Sequence, residues 1–185
     1  MLHEDGVMGN CFDGGDHCLS MSNGGTAVFV DVLTLAVSDL ASEPWHYRFA
    51  SLVALQDQNL MGRGNVGFDL EDIDWGPSPQ EQEAAKDFVL RVTDLALARH
   101  RWDELGYEPP YAPKYLETFR AMVEAYDPAT PAGGLGSFPA PEEAALASCV
   151  RHRVLTGLPF WDGCVFCNSE WVLPVSETSN FQGQN

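Results

Sequence analysis

Ser78 to Arg101 reads S-P-Q-E-Q-E-A-A-K-D-F-V-L-R-V-T-D-L-A-L-A-R-H-R, and this stretch decides the fold class. Ser78 and Glu81 have the spacing of a capping box, and Pro79 stands at the first helical position, where a missing N–H is harmless. Behind them Ala85, Phe88, Val89, Val92, Leu95 and Ala96 recur at steps of three and four, which lines them up on one stripe. Glu81 and Glu83 in the first turn and Arg99, His100 and Arg101 in the last complement the helix dipole, so His100 has a structural explanation. The pattern predicts an amphipathic helix with one face against a core.

The flanking segments repeat the theme. Upstream, Phe29, Val32, Leu33, Ala36, Val37 and Leu40 form a helical stripe from Ala27 onward, with Asp31, Ser38 and Asp39 on the other side. Ser42 reads as the cap of a second helix with Pro44 in its first turn. Its buried face is Trp45, Phe49, Leu52, Val53, Gln56 and Leu60, with Arg48, Ser51 and Asp57 opposite, and Gly62 and Gly64 end it. Two such helices joined by a short break predict an antiparallel pair. Downstream, Trp102 to Gly106 closes the capped helix and Tyr107 to Pro113 is a proline-rich crossing. A fourth helix then spans Lys114 to Tyr126 on a stripe of Tyr115, Phe119, Met122 and Tyr126. The expected fold is mainly α, a four-helix body over residues 26–127.

Outside that body the expectations are different. Residues 1–25 are rich in Gly, Asp, Ser and Asn without periodicity and read as a disordered extension, with Met21 an alternative start. Cys11, His17 and Cys18 are three metal-ligand types in it, fewer than a closed site needs. Residues 128–147 have the Pro/Gly composition of a linker, residues 148–173 form a small metal-binding module, and 174–185 are a frayed tail.

The module rests on Cys149, His152, Cys164 and Cys167, the pattern C-x2-H-x11-C-x2-C. A two-residue gap lets both members of a pair reach one ion, and three thiolates with one imidazole make a common tetrahedral zinc set. Three of the five cysteines fall in these nineteen residues, and Gly163 gives the second knuckle its backbone freedom. Four protein ligands leave no vacancy for water, so the expected Zn2+ is structural. A redox C-x-x-C at Cys164 to Cys167 lacks the βαβ surroundings that such chemistry uses.

Charge bounds the partners. The chain carries 27 acidic against 10 basic residues, a formal −17, which disfavours phosphate backbones and favours a basic protein partner. The segment Asn65 to Trp75 alternates Phe68, Leu70, Ile73 and Trp75 with Asp69, Glu71, Asp72 and Asp74. It reads as an extended or turn-rich loop with aromatics tucked under the helices and acids facing water, where the run could meet a divalent cation or a basic partner. The acidic start has no signal-peptide character, no run is long enough to span a bilayer, and the odd cysteine count fits a reducing cytoplasm.

Catalytic signatures are missing: no G-x-S-x-G, phosphate loop, H-E-x-x-H or dinucleotide fingerprint occurs. Two enzyme-like readings are nonetheless definable, a metal-dependent hydrolase built on the Asp69–Asp74 acids and a base at His46. Arg151 and Arg153 beside the knuckles define a third, zinc-ribbon nucleic-acid binding, against which the total charge argues.

The run G-F-D-L-E-D-I-D-W, the capped helix ending near R-W-D-E-L-G-Y-E-P-P, and the closing C-x2-H and G-C-x2-C together resemble a group of small bacterial proteins, among them immunity proteins of polymorphic toxin systems. The resemblance covers most of residues 28–168. It implies a metal role for Cys149, His152, Cys164 and Cys167, and a toxin as the basic partner. This chain departs from the group in its longer His-to-Cys loop, T-G-L-P-F-W-D-G, and its N-terminal extension. The expectation is an acidic, non-enzymatic interaction protein with a structural zinc site.

Overall fold

The computed structural model describes residues 10–58, 62–129, 138–140, 152, 154 and 166. They are mainly helical, with a two-stranded antiparallel hairpin of β1 (Asn10–Gly14) and β2 (His17–Met21). The helices are α1 (Asn23–Leu40), α2 (Pro44–Ala54), α3 (Pro79–Leu97) and α4 (Ala112–Ala125). Short 3-10 turns at Leu70–Asp72 and Trp102–Glu104 punctuate the connections.

α1 is the axis of the body. Thr26, Phe29, Val30, Val32, Leu33, Leu35, Ala36 and Val37 are all buried, a wider apolar surface than one stripe, because α2, α3, α4 and β2 all pack on it. Its start lies at Asn23, four residues before the expected stripe, since Ser22 Oγ accepts the N–H of Gly25. The box on α3 forms as its spelling predicts: Glu81 N–H donates to Ser78 Oγ at 3.3 Å and Ser78 N–H to Glu81 Oε2 at 3.1 Å.

Four expectations are corrected. Residues 10–21 of the supposed extension are a hairpin, whose Phe12, Leu19 and Met21 enter the core. α2 is capped by Glu43 rather than Ser42 and stops at Ala54, well short of Leu60. Beyond it, buried Gln56 donates to Leu52 O and accepts from Gly67 N–H, a job that needs the chain out of helical register. Arg48 and Ser51, assigned to the outer face of α2, are instead enclosed, Ser51 at 1% exposure and Arg48 between Asp74 and Phe138. Finally, α3 ends before its basic residues. Arg99 turns left-handed (φ 61°), and the N–H groups of Arg99 and His100 close on Ala96 O and Leu95 O.

The loop expected to hide its apolar members does so: Phe68, Leu70, Ile73 and Trp75 are all buried. Its backbone extends the hairpin, with Cys11 N–H donating to Val66 O and Asp13 N–H to Phe68 O, each at 3.0 Å. Phe12, Phe29, Phe68 and Phe119 then meet edge to face, 5.0–6.2 Å between centroids, tying hairpin, α1, loop and α4 into one core.

Candidate functional site

The acids of the 69–74 run do not form one patch. Asp69 Oδ1 accepts Glu71 N–H at 2.9 Å and so caps the 3-10 turn. Asp74 is committed elsewhere: Oδ2 accepts from Arg48 Nη1 at 3.0 Å and Oδ1 from Gly76 N–H. Arg48 in turn donates to Pro139 O at 2.6 Å and lies 4.4 Å from the Phe138 ring centroid. That clasp holds residues 138–140 of the linker against α2, so Asp74 contributes little unpaired charge to a partner.

Two acids from elsewhere take its place. Asp13 forms a parallel bridge with Asp69 through the strand-like pairing of β1 with the loop. Burial, followed by repulsion from Asp69, pushes the Asp13 carboxyl above the usual range. At the end of α4, burial and then the charges of Glu71, Asp69 and Asp127 push the Tyr126 phenol upward. Asp13, Asp69, Glu71 and Asp127 therefore share one negative field, with Asp72 in the same turn as Glu71. Sequence reading missed Asp13 and Asp127 because neither belongs to the run; the hairpin and the α4 terminus deliver them.

The arrangement is suited to attracting positive charge rather than to holding an ion tightly. Among the described residues the group of three donors close enough to share a metal is Cys11, Asp13 and Cys18; the acids of residues 69–74 do not converge in that way. Of the three ligand types noted in this region, His17 is turned by strand alternation to the opposite face from Cys18, and Asp13 joins the two cysteines instead. Cys11 and Cys18 are joined as a disulfide.

His46 is a structural residue. Its ring stacks on Phe88 with centroids 3.6 Å apart, and Nδ1 accepts the N–H groups of Ser42 and Glu43, each at 3.3 Å. Burial lowers its pKa, Glu43 opposes that and Arg91 reinforces it, so the neutral ring acts as a cap at the start of α2. It borders a cleft of about 370 Å³ between α2 and the loop, lined also by Trp45, Trp75, Arg48, Asp74 and Glu81. Asp74 is paired with Arg48, and Glu81 is tied into the Ser78 box through both the N–H and the hydroxyl of Ser78.

Of the expected zinc ligands, Cys149, Cys164 and Cys167 lie outside the described residues, as do most of the linker, the module and residues 174–185. His152 is half-buried, and its ring meets Phe166 edge to face at 5.3 Å. Phe166 lies between Cys164 and Cys167 in the chain, and it is the described residue of that stretch. Both sit on Arg101, which donates to His152 O at 2.8 Å and has its guanidinium 5.2 Å from the Phe166 centroid. No helix among the described residues is long and apolar enough to cross a membrane. The chain matches no protein-family model, no curated protein and no solved structure.

Proposed function

We propose that this chain is an acidic, non-enzymatic interaction protein of the immunity or toxin-neutralising type, acting in the cytoplasm on a basic protein partner. The observation that carries the reading is the shared negative field of Asp13, Asp69, Glu71 and Asp127 on the hairpin, loop and α4 terminus. With a formal −17 behind it, that face steers a positively charged surface toward the chain and sets the rate of encounter more than the lifetime of the complex. The test is to replace Asp69, Glu71 and Asp72 by Asn, Gln and Asn and measure association with a basic partner at low salt. A fall in association rate that vanishes at high salt is expected; an unchanged rate at low salt removes the face from the reading.

The same proposal gives Cys149, His152, Cys164 and Cys167 one structural Zn2+. Support comes from the ligand spacing and from the packing of His152 on Phe166. In a C11S/C18S background, one tightly held zinc that disappears in Cys149→Ser and Cys167→Ser is expected. Additional exchangeable Mg2+ or Mn2+ at the acids would instead favour a metal-dependent hydrolase.

A further inference from the structure

The outer face of the hairpin carries three metal-ligating side chains, of which the interaction reading uses Asp13 for its charge and the two cysteines not at all. Phe12, Leu19 and Met21 point inward, so Cys11 and Asp13 on β1 share the outward face with Cys18, which pairs with Asp13 across the ladder. One ligand atom from each lies within 4.8 Å of the others, and Cys11 Sγ is 3.4 Å from Asp13 Oδ1.

The Cys11–Cys18 bond is not what holds the strands in place. β1 is fixed on its other edge by the hydrogen bonds from Cys11 and Asp13 to Val66 and Phe68. Buried Asn10 donates to Thr26 Oγ1 at 2.8 Å and accepts from Val66 N–H at 3.1 Å, and three core side chains anchor the inner face. A cross-link spanning only seven residues also removes less freedom from the unfolded chain than a long one does. Opening the bond therefore leaves two thiols and a carboxylate on a rigid support, with Cys18 exposed to solvent.

We propose that the reduced hairpin is a site for a thiophilic divalent ion, Zn2+ by its donor chemistry, held by Cys11 Sγ, Cys18 Sγ and the Asp13 carboxylate, and that thiol–disulfide exchange with a small-molecule disulfide, which takes up the two electrons and two protons as two thiols, closes it. Two thiolates and a carboxylate satisfy three tetrahedral positions, leaving the fourth to water or to a donor from a partner. Asp69, bridged to Asp13, keeps the surroundings negative, which favours a cation. In the opening step a water-soluble phosphine supplies two electrons to the disulfide. Its phosphorus takes the oxygen of one water as phosphine oxide, and that water's two protons pass to the two sulfurs. Zinc binding then releases both protons to solvent.

The experiment uses the full chain carrying Cys149→Ser, Cys164→Ser and Cys167→Ser, reduced with the phosphine and titrated with Zn2+. One zinc per chain is expected, none after oxidation to the disulfide, none in a further Cys18→Ser variant, and affinity weaker by about tenfold or more in Asp13→Asn. No binding by the reduced chain, or binding indifferent to Cys18→Ser, overturns the proposal. Should the triple variant fail to fold, the zinc content of the reduced natural chain is compared with that of C11S/C18S. A fall of one zinc per chain supports the site and equal content overturns it.

Discussion

Two residues show how sharply single positions are constrained. Gly67 has φ 146°, and a Cβ there would lie 1.5 Å from Cys11 O, so no side chain fits between the loop and β1. Gly67→Ala must separate the two backbones and break their hydrogen bonds; a loss above about 3 kcal/mol in urea unfolding is expected. Asp31 on α1 acts through its charge. Burial, opposed by the hydrogen bond it accepts from Tyr107 at 2.7 Å and assisted by Asp57, raises its pKa from 3.8 to about 6. A raised folded-state pKa means the fold holds the proton more tightly than the unfolded chain does. Its stabilisation is complete below pH ~4 and disappears as pH climbs through ~6. Asp31→Asn keeps the acceptor for Tyr107 and loses the charge. It is expected to be more stable than the parent at pH 7 by up to about 3 kcal/mol, with the advantage vanishing toward pH 4. Unfolding curves of the two proteins across that range check this, and a constant difference would contradict the assignment.

At the scale of elements, α3 was legible because its signals are local: a four-residue box, a fixed first turn and a stripe of small period. The loop at residues 65–75 was legible for a similar reason, its apolar members being separable from its acids by eye. The hairpin was not. Its strands have five residues each among glycines and aspartates, and their stability comes from the 66–68 backbone and the phenylalanine cluster, which are remote in sequence. The end of α3 was missed because a glycine is the usual residue to turn a helix left-handed, and here Arg99 does it. That choice leaves a correctable cost. Among the described residues Arg99 makes an exposed pair with Glu108 and a distant approach to Trp102, so Arg99→Gly forfeits little there and relieves the left-handed backbone. A gain of about 0.5–1 kcal/mol is expected, seen as a rise of about 1–4 °C in Tm.

Across the whole molecule, the acidic face was half visible in the sequence: the run of Asp69, Glu71 and Asp72 could be read off, while Asp13 and Asp127 join it only through folding. The join between body and C-terminal region was not visible, because it is made by contacts remote in sequence: the Arg48 clasp, buried Val154 and Phe166, and Arg101 at the turn after α3. Arg101 reaches Glu104 through Nε at 2.8 Å and Nη2 at 3.1 Å, approaches Asp39 at the end of α1, and meets both His152 and Phe166. The pairing with Arg101 holds the Glu104 carboxyl below its usual range. No other cation type reproduces this, since the planar fork must bond a carboxylate, a carbonyl and an aromatic face at once. Arg101→Lys should therefore behave almost as poorly as Arg101→Ala. The readout is the pair of histidine ring signals: His152 lies against Phe166 and His46 against Phe88. In both variants the His152 resonances are expected to move while those of His46 stay in place, which separates release of the C-terminal region from general unfolding. Movement of both, or of neither, would show that Arg101 does not hold His152 and Phe166 to the body.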